Sequence, residues 1–333
     1  MVNWWKLLRG WNLLFVAAIP LLLHFGFLAI LESYYAGIDE VKGLESGYHL
    51  ALDSKRVILL TLSIVLIAAG GYVINDVYDQ QVDKVNKPKR RTVGKSIGEK
   101  TATRAFWALS ITGCALGVYV ASYIGNVNYS TIHLLSVAFL YLYAIDFKAR
   151  VLIGNLMVAL LAGLNVLIIA IYDLLPTLLG LINDTQANWI IDRHPIYAHF
   201  KLIAILALFA FINTLIREIV KDNEDAEGDR KFGYKTLATQ FSPNLNRIVV
   251  SLLVLIEIAG LIWVSSAISE DKMIVGLIWT LIGAPLLALI VLQFFFKEKK
   301  HYSWASLALK AVMFIGLLLP VWLFNLTLTA RAY

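Results

Sequence analysis

Apolar residues along this 333-residue chain gather into runs of about twenty, and the charged residues cluster between them. A run of that length fits the hydrocarbon core of a bilayer better than the amphipathic stripe of a soluble helix. The pattern predicts helices near residues 11–31, 57–77, 105–124, 131–145, 152–173, 201–219, 248–268, 274–296 and 305–327. The fold class implied is an all-α membrane bundle of about nine helices. The fourth run is short and is expected to extend by a turn at either end. Gly125-Asn126-Val127-Asn128 reads as a tight turn between antiparallel neighbours. Pro20 is expected to kink the first helix rather than break it.

Lys6 and Arg9 before the first run imitate a signal peptide, but 11–31 exceeds the roughly 7–15 residues of a signal core. The segment therefore reads as a retained first helix. Residues 32–56 and 174–200 are long for plain connectors, and 174–182 is apolar enough to lie along the membrane surface.

Composition supports the membrane reading. The chain is 59% hydrophobic and 16% charged, whereas soluble domains run about 45–50% apolar and about 25% charged. The formal net charge of +6 would suggest nucleic acid if it formed one patch, but it follows topology instead. With the N-terminus cytoplasmic and the C-terminus outside, most Lys and Arg fall on the inner side. They include Lys84, Lys87, Lys89, Arg90, Arg91, Lys95, Lys100 and Arg104 in one segment, Lys148 and Arg150 in another, and Lys297, Lys299 and Lys300 in a third. The expected location is a cell (inner) membrane, with neither nucleic acid nor an obligate protein partner implied. Cys114 is the single cysteine, so no intrachain disulfide and no Cys-based metal site can form; it reads as a packing residue. The six histidines form no ligand constellation.

Two acidic clusters carry the chemistry. The second predicted helix ends in Asn75-Asp76-Val77-Tyr78-Asp79-Gln80-Gln81-Val82-Asp83, and the sixth in Asp222-Asn223-Glu224-Asp225-Ala226-Glu227-Gly228-Asp229. Both space aspartates by three and then four residues, which on a continuous helix would stack the carboxylates on one face over roughly 10 Å. Like charges so placed repel, and helix C-termini disfavour them further. Something cationic must compensate, and carboxylate and amide oxygens are hard ligands suited to Mg²⁺ or Ca²⁺. Asn75 and Asp79, four apart, could share one ion. Both helices run outside to inside, so the clusters can face each other at one surface. The 146-residue offset between Asp76 and Asp222 hints at two related halves, 1–145 and 146–333, within one domain spanning 1–333.

Basic groups accompany the acids: Lys84, Lys87, Lys89, Arg90 and Arg91 after the first cluster, and Arg217, Lys221, Arg230, Lys231 and Lys235 around the second. Acids, divalent cations and bases together suit a diphosphate. At the mouth of an apolar bundle, the fitting substrate is an allylic prenyl diphosphate whose tail runs between helices. Tyr72, Tyr78, Tyr141 and Tyr143 are candidates to stabilise an allylic cation. Gly70-Gly71 either makes room for the tail or allows close helix packing.

These residues resemble a known family. Asn75-Asp76-x-x-Asp79-x-x-x-Asp83 with Asn86-Lys87-Pro88 is similar to the first signature of the UbiA superfamily of intramembrane prenyltransferases. The stretch from Arg217 to Arg230, followed by Lys235-Thr236-Leu237, is similar to its second. Arg9 and Asn12 match an Arg-Pro-x-Asn start to the first helix, although Gly10 replaces the proline. Tyr143 and Lys148, with Gly154-Asn155, resemble the loop between helices four and five. The second proline usual after the first signature is missing here.

The resemblance implies nine helices, two Mg²⁺ bridging the motifs through diphosphate, and prenyl transfer to a membrane-associated acceptor. It implies metal ligands among Asn75, Asp76, Asp79, Asp83, Asp222, Asp225 and Asp229. Asp79, Asp83, Asp225, Asp229 and Lys148 would serve catalysis, and Arg9, Asn12, Lys87, Arg90, Tyr143, Lys148, Arg217 and Lys221 substrate binding. Within the superfamily the second signature is most similar to the geranylgeranylglyceryl phosphate geranylgeranyltransferase branch, with prenylation of an aromatic or quinone precursor as the alternative. Outside it, a cation transporter would place its site near the bilayer midplane. A nucleotide-dependent lipid phosphotransferase would show an Asp-Gly and Ala-Arg pattern, which is absent. A non-catalytic lipid-binding protein would keep the fold without turnover.

Overall fold

The computed structural model describes residues 2–42, 48–86, 91–183, 195–267 and 271–331. Among the described residues, nine helices are long and apolar enough to cross a membrane: α1 (Gly10–Glu40), α2 (Ser54–Tyr78), α3 (Glu99–Tyr123), α4 (Val127–Ile145), α5 (Ile153–Leu181), α6 (Pro195–Lys231), α7 (Pro243–Ser266), α8 (Lys272–Phe295) and α9 (Lys299–Leu319). The chain is all-α, as the run pattern predicts.

Helix α2 packs on α1, α3 and α4, while α6 packs on α5, α7 and α9; α1 and α5 meet between these two groups, and α9 reaches α1. The helices bearing the two acidic clusters thus belong to different packing groups. Large apolar side chains lie on the outside of the bundle: Trp11, Ile111, Phe295, Trp304 and Leu307 are all at least 65% exposed. Such a surface suits lipid and would be costly in water.

Local chemistry explains the turns. α3 ends at Gly125, whose φ of 78° places it in the left-handed region. The Gly125 and Asn126 amides donate back to the Ser122 and Ala121 carbonyls, capping the helix and reversing the chain. The helix around Pro20 continues without a break. Gly70 and Gly71 serve close packing: a Cβ on Gly71 would meet Leu140 at 2.7 Å, and one on Gly70 would meet Ser110 Oγ at 3.0 Å.

The connectors are more helical than their length suggested. Helix continues to Lys42 after α1, and Leu175–Asn183 prolongs α5 rather than forming a separate surface segment. Leucine-rich sequence favours helix, and a π turn at Ala170–Leu174 lets α5 run on. A matching π turn, His24–Leu28, lies in α1. Between them His24 Nδ1 and Asp173 Oδ2 approach to 2.6 Å, both fully buried. Asp173 Oδ1 also accepts from Leu52 N at 2.9 Å, and its carbonyl accepts from Ala51 N at 3.0 Å. One carboxylate therefore ties α1, α5 and the segment leading into α2. No periodicity links residues 24, 52 and 173, so the sequence offered no sign of it.

Removing one member of a buried pair strands the other. Asp173→Ala is expected to destabilise the fold by about 3–5 kcal/mol. The exposed helix cap Asp53, which accepts from Arg56 N at 2.9 Å, should cost about 1 kcal/mol when changed to alanine. Thermal unfolding in detergent compares the two; equal losses would remove the structural role given to Asp173.

Candidate active site

The first acidic cluster does not lie on one continuous helix. α2 stops at Tyr78, Asp79 caps it, and a turn leads to the short helix Val82–Asn86. Aspartate and asparagine favour caps and turns over helix interiors, which places the break inside the motif. The stacked row expected of residues 76, 79 and 83 is replaced by carboxylates reaching different partners. Asp76 Oδ1 accepts from Arg9 Nη2 at 2.9 Å, and Asp79 is ion-paired with Lys148 from the α4–α5 loop. The second cluster is helical throughout, within α6. Asp222 accepts from Asn155 of α5 at 2.9 Å, whereas Asp225 and Asp229 are buried one and two turns on.

The two clusters meet through Asn86. Its Nδ2 donates to the Asp225 carbonyl at 3.1 Å and approaches Asp229 Oδ1 at 3.5 Å, while its Oδ1 accepts from Gly228 N at 3.1 Å. A Cβ on Gly228 would strike that amide at 2.3 Å, so only glycine permits the approach. Lys299, at the start of α9, donates to the Asn86 carbonyl at 3.2 Å and lies 3.8 Å from Asp225 Oδ1.

Other groups close the site. Tyr234, beyond the end of α6, lies beside Asp79; burial first, then the Asp79 and Asp229 charges, push its phenol far above its usual range. It stays a neutral donor at any physiological pH. Lys148 Nζ stands 5.9 Å over its ring, and the Lys235 amide donates to the Ala149 carbonyl at 2.9 Å, fastening the α4–α5 loop to the end of α6. Tyr143 lies near charges of both clusters, Asp79 from the first and Asp222 from the second, and near Glu218 and Lys221. One turn before Asp222, Glu218 binds Arg217 and lies 3.6 Å from Lys221. Arg9 and Leu152, with φ of 52° and 63°, are the described non-glycine residues in the left-handed region. Each precedes a helix bordering the site and stores about 1–3 kcal/mol of strain.

Of the predicted site residues, Asn75, Asp76, Asp79, Asp83, Asp222, Asp225, Asp229, Arg9, Asn12, Tyr143, Lys148, Arg217 and Lys221 gather on this side of the bundle. Lys87 and Arg90 lie outside the described residues. Arg230 donates to the Ala238 carbonyl at 3.0 Å, a structural task. Tyr78 and Tyr141 belong to a separate aromatic group with Phe106 and Trp107, so of the four tyrosines Tyr72 and Tyr143 are the ones near the charges. Sequence reading gave no site role to Glu218, which lies inside the second signature, to Lys299, taken as a topology signal, or to Tyr234 and Lys310. Lys310 had a local signal of its own, a charge inside an apolar run.

The donor set suits a hard divalent cation. Asn75 Nδ2 donates to Asp79 Oδ2 at 2.7 Å, leaving Asn75 Oδ1 buried with no hydrogen-bond partner among the described residues. No three His, Cys, Asp or Glu side chains form a ready-made metal cage among the described residues.

Residues 45–324 match the UbiA prenyltransferase family. The chain is 37% identical over 224 residues to the digeranylgeranylglyceryl phosphate synthase of Saccharolobus solfataricus, covering 67% of this chain and 70% of that one. It is 36% identical to the protein of that name from Sulfurisphaera tokodaii, over 58% of this chain and 62% of that one. For the Methanobrevibacter smithii protein, of the same name, the figures are 34%, 61% and 64%. A solved digeranylgeranylglyceryl phosphate synthase structure superposes with a TM-score of 0.61 over 96% of each chain at 23% identity, which establishes a shared fold. The chain belongs to the UbiA prenyltransferase family, as an integral membrane protein of that fold.

Proposed function

We propose that this protein transfers a geranylgeranyl group from its diphosphate to the free hydroxyl of a prenylated glyceryl phosphate, with Mg²⁺ as cofactor and the site on the cytoplasmic side. The observation that carries the reading is the meeting of two acidic clusters through Asn86 and Gly228, beside Lys148, Lys221 and Lys299. The names of the relatives supply the acceptor class, and the concentration of Lys and Arg on this side supplies the orientation.

Divalent cations, when bound, would neutralise the diphosphate and favour its departure; Asn75, Asp79, Asp83, Asp222, Asp225 and Asp229 would hold two of them. The side chains divide the remaining work. Lys148, held against Asp79 and Tyr234, would contact the leaving oxygens, and Lys221 would do so from the side of α6. The Tyr143 ring, near Asp79 and Asp222, would face the allylic carbon as its bond to oxygen lengthens. The C1–O bond breaks, the acceptor hydroxyl oxygen forms the new ether bond to C1, and diphosphate and a proton are released. Burial of the site within the bundle keeps water from competing for the allylic cation.

With labelled geranylgeranyl diphosphate, Mg²⁺ and purified protein, Asp79→Asn and Asp225→Asn are each expected to cut turnover at least about a hundredfold. Detergent melting profiles should stay near wild type, and chelator should silence the wild type. Full turnover by both variants would remove the metal assignment; turnover of an aromatic acceptor alone would move the substrate to quinone chemistry.

A second outcome concerns the contact between motifs. Gly228→Ala, by displacing Asn86, should lower turnover at least about tenfold. Gly260→Ala, where an added methyl meets nothing within 4 Å, should change little. Equal rates for the two variants would show that the Asn86 contact does not set the geometry.

A further inference from the structure

Lys310 lies inside the apolar wall of the bundle, in the spanning part of α9. From Lys299, at the acidic clusters, to Lys310 is eleven residues, or about 16 Å of helix. Its ammonium donates to Asn12 Oδ1 at 2.7 Å and stands 4.2 Å over the Phe15 ring. Among the described residues it has no carboxylate within ion-pair distance. The other cations of this layer are matched, Arg9 by Asp76 and Arg217 by Glu218. Arg217, although paired with Glu218, lies near Lys310, and its Nε is buried without a hydrogen-bond partner among the described residues. An unmatched cation in a membrane helix is expensive and marks a functional site by default.

The layer connects to the diphosphate site. Asn12 also lies beside Tyr72, and Arg9 lies 4.9 Å over the Tyr72 ring. Tyr143 lies near Asp79 and Asp222 and also near Arg9. A ligand reaching from Lys310 toward the carboxylates would therefore pass the place where chemistry is expected.

We propose that Lys310, with Asn12 and Arg217, binds the phosphate monoester of the acceptor lipid, at a site separate from the donor's diphosphate. This rests on the acceptor proposed above. A prenylated glyceryl phosphate carries its hydroxyl and its phosphate on one three-carbon unit, so the two lie within about 5 Å of each other. The phosphate must therefore sit near the reacting carbon, yet clear of a donor anion that would repel it. Lys310 offers an unmatched charge above the carboxylates and on another helix. An aromatic acceptor would leave that charge uncompensated.

The test is binding of labelled geranylgeranylglyceryl phosphate, and of geranylgeranylglycerol lacking the phosphate, to the purified protein without metal or donor. Wild type should prefer the phosphate form by about tenfold or more. Lys310→Met should lose that preference while still binding the glycerol lipid, and Lys310→Arg should keep most of it. In turnover, Lys310→Met should raise KM for the acceptor about tenfold and move KM for geranylgeranyl diphosphate less than about twofold. Retained preference in Lys310→Met would overturn the proposal, as would a rise in donor KM alone, which would assign Lys310 to the diphosphate. Loss of both lipids with an unchanged melting temperature would also overturn it. Where wild type turns over this acceptor but the phosphate preference survives in Lys310→Met, only this inference falls. Where wild type rejects the acceptor and accepts an aromatic one, the proposed function falls with it.

Discussion

Carboxylates crowded at the end of a helix oppose both one another and the helix dipole, and the organisation of this protein's charged end follows from that repulsion. The chain relieves part of it with its own cations. Lys148 takes Asp79, Arg9 takes Asp76, and Lys299 approaches Asp225. These cations come from the α4–α5 loop, the start of α1 and the start of α9, so relieving the repulsion also draws together elements remote in sequence. The remaining oxygen donors include Asn75 Oδ1, without a hydrogen-bond partner among the described residues, and as a set they suit a divalent cation and a diphosphate. Electrostatic need and substrate recognition are in this reading the same requirement.

A membrane setting shapes the rest. With lipid outside, hydrophobic burial cannot hold the helices together as it does in water, so small residues and polar links carry more of the specificity. Gly70 and Gly71 bring α2 close to α3 and α4, and the His24–Asp173 pair locks α1 to α5 on buried surfaces. The chain then has a rigid, largely apolar body and a polar end where most cross-helix hydrogen bonds serve the acidic clusters. Lys310 departs from that division, as a charge placed in the wall between the two regions.

Much of this was legible in the sequence because it is written in local pattern. Spanning runs fix helices by length alone, and nine of them appear close to their expected places. The paired acidic clusters carried the family resemblance, and the family match followed. What local spacing could not show is where a helix stops. The equal spacing of 76, 79, 83 and 222, 225, 229 suggested twin helical faces, but α2 ends within its motif while α6 runs through. Nor could spacing reveal partners far apart in the chain, such as Asn86 with Gly228, Tyr234 with Asp79, or Lys310 with Asn12. Those links exist only once the bundle has assembled.

The central claim is that both acidic clusters grip one diphosphate through shared divalent cation. Titration calorimetry with Mg²⁺ and a non-hydrolysable thiolo analogue of geranylgeranyl diphosphate tests it most directly. Shared gripping predicts that each ligand binds weakly alone and at least about tenfold more tightly in the presence of the other. It also predicts that Asp79→Asn and Asp225→Asn each abolish this mutual gain. Undiminished coupling in either variant would contradict the account, because one cluster would then suffice.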